Sequence, residues 1–248
     1  MDERTSFAHQ VVAKLAEESA PLLQVTDTTG FRKLVPALVQ KGLDHLNLSM
    51  FSAEMRTTIL NAVADEYLRR GNLHDATKAF LLAGNKVKLT AVGQDFERIG
   101  LVDYAIETYK LADDNGRLLT VGTKCMEDGR FSSAIRAFTA INSAEMLGRL
   151  GKECFDKGKF DYAFEIFSTL SDGAKLSEVG ERCLAEGQYS YAIKAFATVR
   201  DAEKLNRAGD RCLREGLLRS ALEAYTLAKN DMMIQFIHEN FAGQTTVI

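Results

Sequence analysis

"GKFDYAFEIF", residues 158–167, and "GQYSYAIKAF", residues 187–196, are two writings of one pattern. Each opens on glycine, with an aromatic ring two residues later, alanine five later and another ring nine later. The two glycines lie 29 residues apart, and the interval extends in both directions through Gly71, Gly100, Gly129, Gly158, Gly187 and Gly216. The alanine recurs as Ala76, Ala105, Ala134, Ala163, Ala192 and Ala221, and the ring as Phe80, Tyr109, Phe138, Phe167, Phe196 and Tyr225. Seven residues before the anchors stand Gly93, Gly122, Gly151, Gly180 and Gly209, with Ala64 in the first copy. Eighteen after them stand Leu89, Leu118, Leu147, Leu176, Leu205 and Ile234. Six copies agreeing at five offsets specify a stacked array, in which each unit buries its apolar face against the next copy of itself.

Each copy reads as two short helices. Fourteen residues past the anchors come Asn85, Asp114, Ser143, Asp172, Asp201 and Asn230, all side chains that cap a free backbone N–H at a helix start. The helix that follows puts Leu176, Val179 and Cys183 on one face and ends near Gly187, where glycine tolerates the left-handed conformation. Asp103, Ser132, Asp161 and Ser190, three residues past four of the anchors, are the expected caps of the second helix. That helix carries the alanine and the ring on one face, so that small residues admit a close neighbour and the ring fills the space beside it.

These spacings resemble the tetratricopeptide repeat: paired glycines, an alanine twelve residues after the first, and a ring four residues later, as in Gly151, Gly158, Ala163 and Phe167. The resemblance covers residues from about 53 to 242. The unit is five residues shorter than the family's usual length of about 34. The family's proline near the unit's end is absent, and its first-helix aromatic is cysteine in four copies. Shortened units of this kind are also similar to the helical solenoids of clathrin-type coat proteins. The resemblance implies an all-α, right-handed α-α superhelix of six helix-turn-helix repeats, with the first helices lining a concave, peptide-binding side. The repeats and a capping helix, "MMIQFIHENF", span residues 51–242. Residues 1–50, with "SFAHQVVAKLAEE" and "FRKLVPALVQKGL" as helices, form an amino-terminal cap, and 243–248 a tail.

Composition narrows the function. With 46% hydrophobic and 26% charged residues and a net charge of −3, the chain has no basic field to attract nucleic acid. No stretch reaches the roughly 18 apolar residues of a membrane span, and "MDERTSFAHQ" lacks the apolar core of a secretory signal. A soluble, cytoplasmic protein is the expectation. Cys125, Cys154, Cys183 and Cys212 are themselves 29 apart. Equivalent positions on neighbouring helices sit about 8–10 Å apart, beyond the about 7 Å that a disulfide spans. Four cysteines in a line do not surround a zinc ion either. Tyr67 and Phe96 fill the same offset in the first two copies, so the position belongs to a reduced core. No His-Glu-x-x-His, phosphate loop or Gly-x-Ser-x-Gly elbow occurs. The expectation is no enzyme, no catalytic residue, no cofactor and no metal.

What varies within the constant frame is the polar set on the first helices. Six residues before the anchors stand Asp65, Gln94, Thr123, Lys152, Glu181 and Asp210, and nine before the later ones Arg149, Glu178 and Arg207. Phe155 belongs to an apolar row with Met126, Leu184 and Leu213. This set makes the expected function a non-catalytic scaffold or adaptor that binds a protein or extended peptide. An RNA-binding helical array needs basic and stacking residues repeating along one face, which the mixed signs oppose; a helical enzyme needs convergent acidic or histidine ligands, for which the unrepeated amino-terminal segment is one source. Self-association through that segment or an end of the stack is a further expectation. Lys78, Glu107, Arg136, Glu165, Lys194 and Glu223, seven past each anchor, predict a ladder of opposite charges along the solvent face. The final "TTVI" resembles the terminal ligands of PDZ domains.

Overall fold

The computed structural model describes residues 33–245, with side chains through Phe241. These residues form fourteen α-helices and one 3-10 turn, with no strand among them. The protein is all-α. Backbone contacts divide it into two units, one holding the described residues up to Leu101 with Leu111–Asp113, the other Val102–Lys110 and everything from Asp114 onward.

In the first unit, α1 (Val35–Lys41) and a 3-10 turn (Leu43–His45) precede α2 (Ala53–Arg69), α3 (Leu73–Leu82) and α4 (Lys86–Arg98), each helix packing on the next. The second unit takes α5 (Val102–Leu111), all but its last residue, and then α6 (Asn115–Glu127), α7 (Phe131–Ala140), α8 (Ala144–Asp156) and α9 (Phe160–Thr169). It continues with α10 (Gly173–Ala185), α11 (Tyr189–Thr198), α12 (Ala202–Arg214), α13 (Leu218–Ala228) and α14 (Asp231–Thr245). From α6 to α14 each helix packs on its successor. First helices of 13 residues alternate with second helices of 10, and two three-residue turns complete the 29-residue period, as in α10 and α11.

The periodic residues are the core. All six alanines are fully buried, and the six rings are at most 3% exposed. Each ring lies against the glycine of its own hairpin where that contact is described: Phe138 on Gly122, Phe167 on Gly151, Phe196 on Gly180 and Tyr225 on Gly209. A further buried offset, eight past the anchor, holds Ala79, Thr108, Ala137, Ile166, Ala195 and Ala224. In the second unit the second helices α7, α9, α11 and α13 contact one another directly, with alanine at this offset on α7, α11 and α13 and Ile166 on α9.

The turns explain the anchors. At Gly187 the chain takes φ 76°, and the next N–H, of Gln188, donates to the Cys183 carbonyl at 2.8 Å. The same closing bond runs from Arg130 to Cys125, Lys159 to Cys154 and Leu217 to Cys212, satisfying carbonyls that a helix end otherwise leaves open. All six expected first-helix caps form: Asn85, Asp114, Ser143, Asp172, Asp201 and Asn230 each accept the N–H three residues on.

The expected second-helix caps are corrected. The closing bond brings the chain round in one residue, so the N-caps are Arg130, Lys159, Gln188 and Leu217, none with a side-chain cap bond. Ser132, Asp161 and Ser190 sit inside the first turn of their helices, as does Asp103 in α5. Only Asn72, before α3, caps with its side chain. At the ends, Pro36 at the first turn of α1 starts that helix inside "FRKLVPALVQKGL", as proline's fixed φ favours. At the other end, α14 bends at Phe241 and continues to Thr245, past the expected start of the tail. "SFAHQVVAKLAEE" and the last three residues of "TTVI" lie outside the described residues.

A left-handed residue also recurs thirteen past each anchor, as Gly84 and then Asp113, Asn142, Ser171, Arg200 and Lys229, with φ between 51° and 67°. A side chain there costs about 1 kcal/mol relative to glycine. Ser171→Gly and Arg200→Gly should therefore each raise stability by about 0.5–1 kcal/mol, read as higher urea midpoints; unchanged or lower midpoints would refute it.

Candidate interaction site on the first helices

The ten candidate residues all project from first helices, yet the structure gives several of them internal work. Asp65 on α2 is exposed and accepts from Lys88 of α4 at 2.9 Å. Glu181 on α10 is held by Arg207 of α12 through two bonds of 3.1 and 3.2 Å. Lys204 approaches the same carboxylate at 3.7 Å and bonds Ser177. Asp210 accepts the Tyr225 hydroxyl at 2.7 Å; burial, and then that carboxylate, push the Tyr225 phenol well above its usual range. These contacts join successive repeats or the two helices of one hairpin. Exposed pairs of this kind contribute up to about 1 kcal/mol each, and here they act as register contacts.

Phe155 is half-buried rather than open. Its ring meets Phe160 edge-on at 6.4 Å and the Arg182 guanidinium at 4.9 Å, while Arg182 also donates to the Phe155 carbonyl at 3.0 Å. An arginine from one first helix thus closes the carboxyl end of the previous one, where its charge complements the helix dipole. Met126, of the same apolar row, is buried.

The remaining candidates stand freer. Lys152 and Arg149 are exposed; Arg149 reaches only the Met146 sulfur, at 3.7 Å, and Lys152 has no ion-pair partner among the described residues. Glu178 pairs with Lys175 at 2.7 Å on its own helix. Thr123 donates to the Leu119 carbonyl at 2.9 Å, and Gln94 is half-buried. The arrangement brings Glu181 and Arg207 together and leaves the other candidates spread along successive helices.

The charge ladder forms at one rung. Arg136 of α7 reaches Glu107 at 2.7 Å and Asp103 at 3.0 Å. Among the described residues no ion pair joins Glu165 to Arg136 or Lys194, or Glu223 to Lys194. Arginine's long fork spans two carboxylates, whereas Lys194 lies over the Tyr191 ring of its own helix at 5.7 Å. The four cysteines are buried and form no disulfide with one another. Burial pushes the Cys154 and Cys183 thiols up to about 12 and Cys212 to about 11, the opposite of the shift a reactive thiol needs.

Among the described residues, no three His, Cys, Asp or Glu side chains converge as metal ligands, and no helix is long and apolar enough to cross a membrane. A cavity of about 440 Å³ opens between the end of α10 and α12, lined by Leu184, Ala185, Arg207, Asp210, Arg211 and Arg214. Neither Arg211 nor Arg214 is among the sequence candidates, which come from the offsets six, nine and three before the anchors; three arginines on one face of a single helix were the available signal. What the fold defines is a class, an all-α array of 29-residue helical hairpins packed neighbour to neighbour within each unit. The chain matches no protein-family model, and no curated protein matches it.

Proposed function

We propose that this protein is a non-catalytic interaction scaffold, a shortened tetratricopeptide-like array that binds a protein or extended peptide along its first helices. The observation that carries this reading is the contrast between frame and face. Core positions repeat from unit to unit, while Arg149, Lys152, Glu178, Arg207 and Asp210 project into solvent with changing sign. A repeated frame holding non-repeated side chains at regular intervals suits recognition of an extended ligand, one segment per unit. The four buried thiols, not joined in disulfides, suit a reducing compartment such as the cytoplasm.

The test is a charge exchange that preserves the frame. Glu181→Lys with Arg207→Glu keeps opposite charges facing across α10 and α12, and Lys152→Glu adds a third reversal. In affinity capture followed by mass spectrometry, wild type should retain a protein that the folded triple variant loses. Purified partner should then bind the variant at least tenfold more weakly. Equal capture by both proteins would remove the first-helix face from the function.

A further inference from the structure

Arg207, Arg211 and Arg214 are spaced by four and three residues, which places them on one face of α12. Together with Asp210 they form one wall of the cavity of about 440 Å³, and Leu184 and Ala185 from the end of α10 form the other. That volume lies within the usual ligand-pocket range of about 300–1,000 Å³.

The three cations are unequally used. Arg207 is committed to Glu181. Arg211 approaches Glu215 only at 3.9 Å, too far for a strong charge-assisted bond. Arg214 has no carboxylate within ion-pair distance among the described residues. A helix end welcomes cations for its dipole alone, but the other first helices place at most one in the last turn. The last turns of α2, α4, α6 and α10 hold Arg69, Arg98, Lys124 and Arg182 singly, and that of α8 holds none. Among the described first helices α12 alone places two in its last turn, Arg211 and Arg214; α2 ends on Arg69 and its cap residue Arg70, but Glu66 holds both. At the three matching offsets, no other copy is basic throughout: the fifth reads Glu178, Arg182, Ala185 and the fourth Arg149, Glu153, Asp156. The surplus is specific to this pocket.

We infer that this pocket binds an acidic segment of a partner protein. Arg211 and Arg214 donate to its side-chain carboxylates, and Leu184 and Ala185 receive the aliphatic carbons of the same segment. The inference rests on the scaffold reading and adds the chemistry of the ligand. A carboxylate peptide fits better than a phosphate polymer because the facing wall, Leu184 and Ala185, is apolar and takes the aliphatic carbons of a peptide segment, which a phosphate backbone does not offer.

The experiment is fluorescence anisotropy on the full chain. The probe is a labelled 12-residue peptide carrying five glutamates among leucine, serine and glycine. Its comparators are the same peptide with lysines for glutamates, a uridine 12-mer, and phosphatidylserine vesicles. Wild type should bind the glutamate peptide at least tenfold more tightly than any comparator, with affinity falling as salt rises. Arg211→Glu with Arg214→Glu should weaken that binding at least tenfold at unchanged melting temperature. The milder R211K/R214K pair, which keeps the charge but loses the planar fork, should weaken it less, and Lys110→Glu on α5 should leave it unchanged. Full affinity in the double-glutamate variant overturns the inference, as does preference for the lysine peptide, the RNA or the vesicles. A partner captured through the first helices whose bound segment is basic or uncharged would overturn the acidic pocket and leave the scaffold reading standing. The two ideas therefore fail separately.

Discussion

Gly151→Ala should lower stability by about 1–3 kcal/mol, whereas Gly148→Ala, three residues earlier on the same helix, should raise it by about 0.5–1 kcal/mol. Both changes remove a helical glycine, and each gains about 1 kcal/mol of helix propensity before packing is considered. The packing differs completely. A methyl group at Gly148 meets nothing within 4 Å. At Gly151 it would sit 2.8 Å from Phe167 Cε1, 2.9 Å from Phe167 Cζ and 2.9 Å from Ile166 Cγ2. Ile166 is fully buried and Phe167 is 3% exposed, so neither side chain has free space to retreat into. The overpacking must then be relieved by parting α8 from α9. Gly180 repeats the geometry, with Phe196 Cε1 2.5 Å from the added carbon.

Urea unfolding monitored by circular dichroism would measure the pair, with hydrogen exchange reporting α8 and α9 locally, because arrays unfold in parts. Shortening the ring should recover part of the loss. Gly151→Ala combined with Phe167→Leu should show a coupling of at least about 0.5 kcal/mol in a double-mutant cycle. The same sign of effect at Gly148 and Gly151 would show that ring-on-glycine packing does not decide the close approach of these helices.

Above pH 9 the fold should lose stability steeply through its buried thiols. Cys154, Cys183 and Cys212 are fully buried, and burial raises their pKa from 9.0 to about 12, about 12 and about 11. Glu153 and Asp161 add to the shift at Cys154, and Glu186 at Cys183. Below the unfolded pKa both states hold the protons, and the thiols favour neither. As pH rises past it, the unfolded chain releases protons that the native state keeps, so unfolding gains free energy. Each thiol then contributes about 1.4 kcal/mol per pH unit until its own folded pKa is reached. Three together approach about 4 kcal/mol per unit between about pH 9 and 11.

Urea midpoints at pH 8, 9.5 and 10.5 would give the slope, and Cys183→Ala should reduce it by about a third. Tyr67 and Tyr225, also raised by burial, steepen it only above about pH 10. In native protein at pH 8 the four thiols should stay silent toward Ellman's reagent and react only as the chain opens. A flat stability profile to pH 10.5, or rapid labelling of the folded protein, would contradict this burial.

How much was legible depended on whether a residue's role repeats. Gly158, Ala163 and Phe167 were readable because every unit offers the same environment to the same offset, so six copies vote on one role. Asp172 and its five equivalents were readable because capping is local chemistry, settled within three residues. The second-helix caps misled because Ser132 and Asp161 have cap chemistry, while the closing bond into the preceding helix had already set where the chain turns. Ser171, Arg200 and their equivalents gave no signal, since four residue types other than glycine or asparagine hold the left-handed turn.

By itself the sequence determined the period, the pairing of helices, the buried alanines and rings and the reduced cysteines, because these follow from spacing and from local preference. Only the tertiary structure decided which candidate surface residues are free. Glu181 and Arg207 are 26 residues apart, and Phe155 and Arg182 are 27 apart. Such pairs meet only when one repeat is laid on the next, at a distance that no local rule specifies. The arginine pocket belongs to the same kind. Its two walls come from successive first helices, and the charges that remain available there are those left after the repeats have paired with each other.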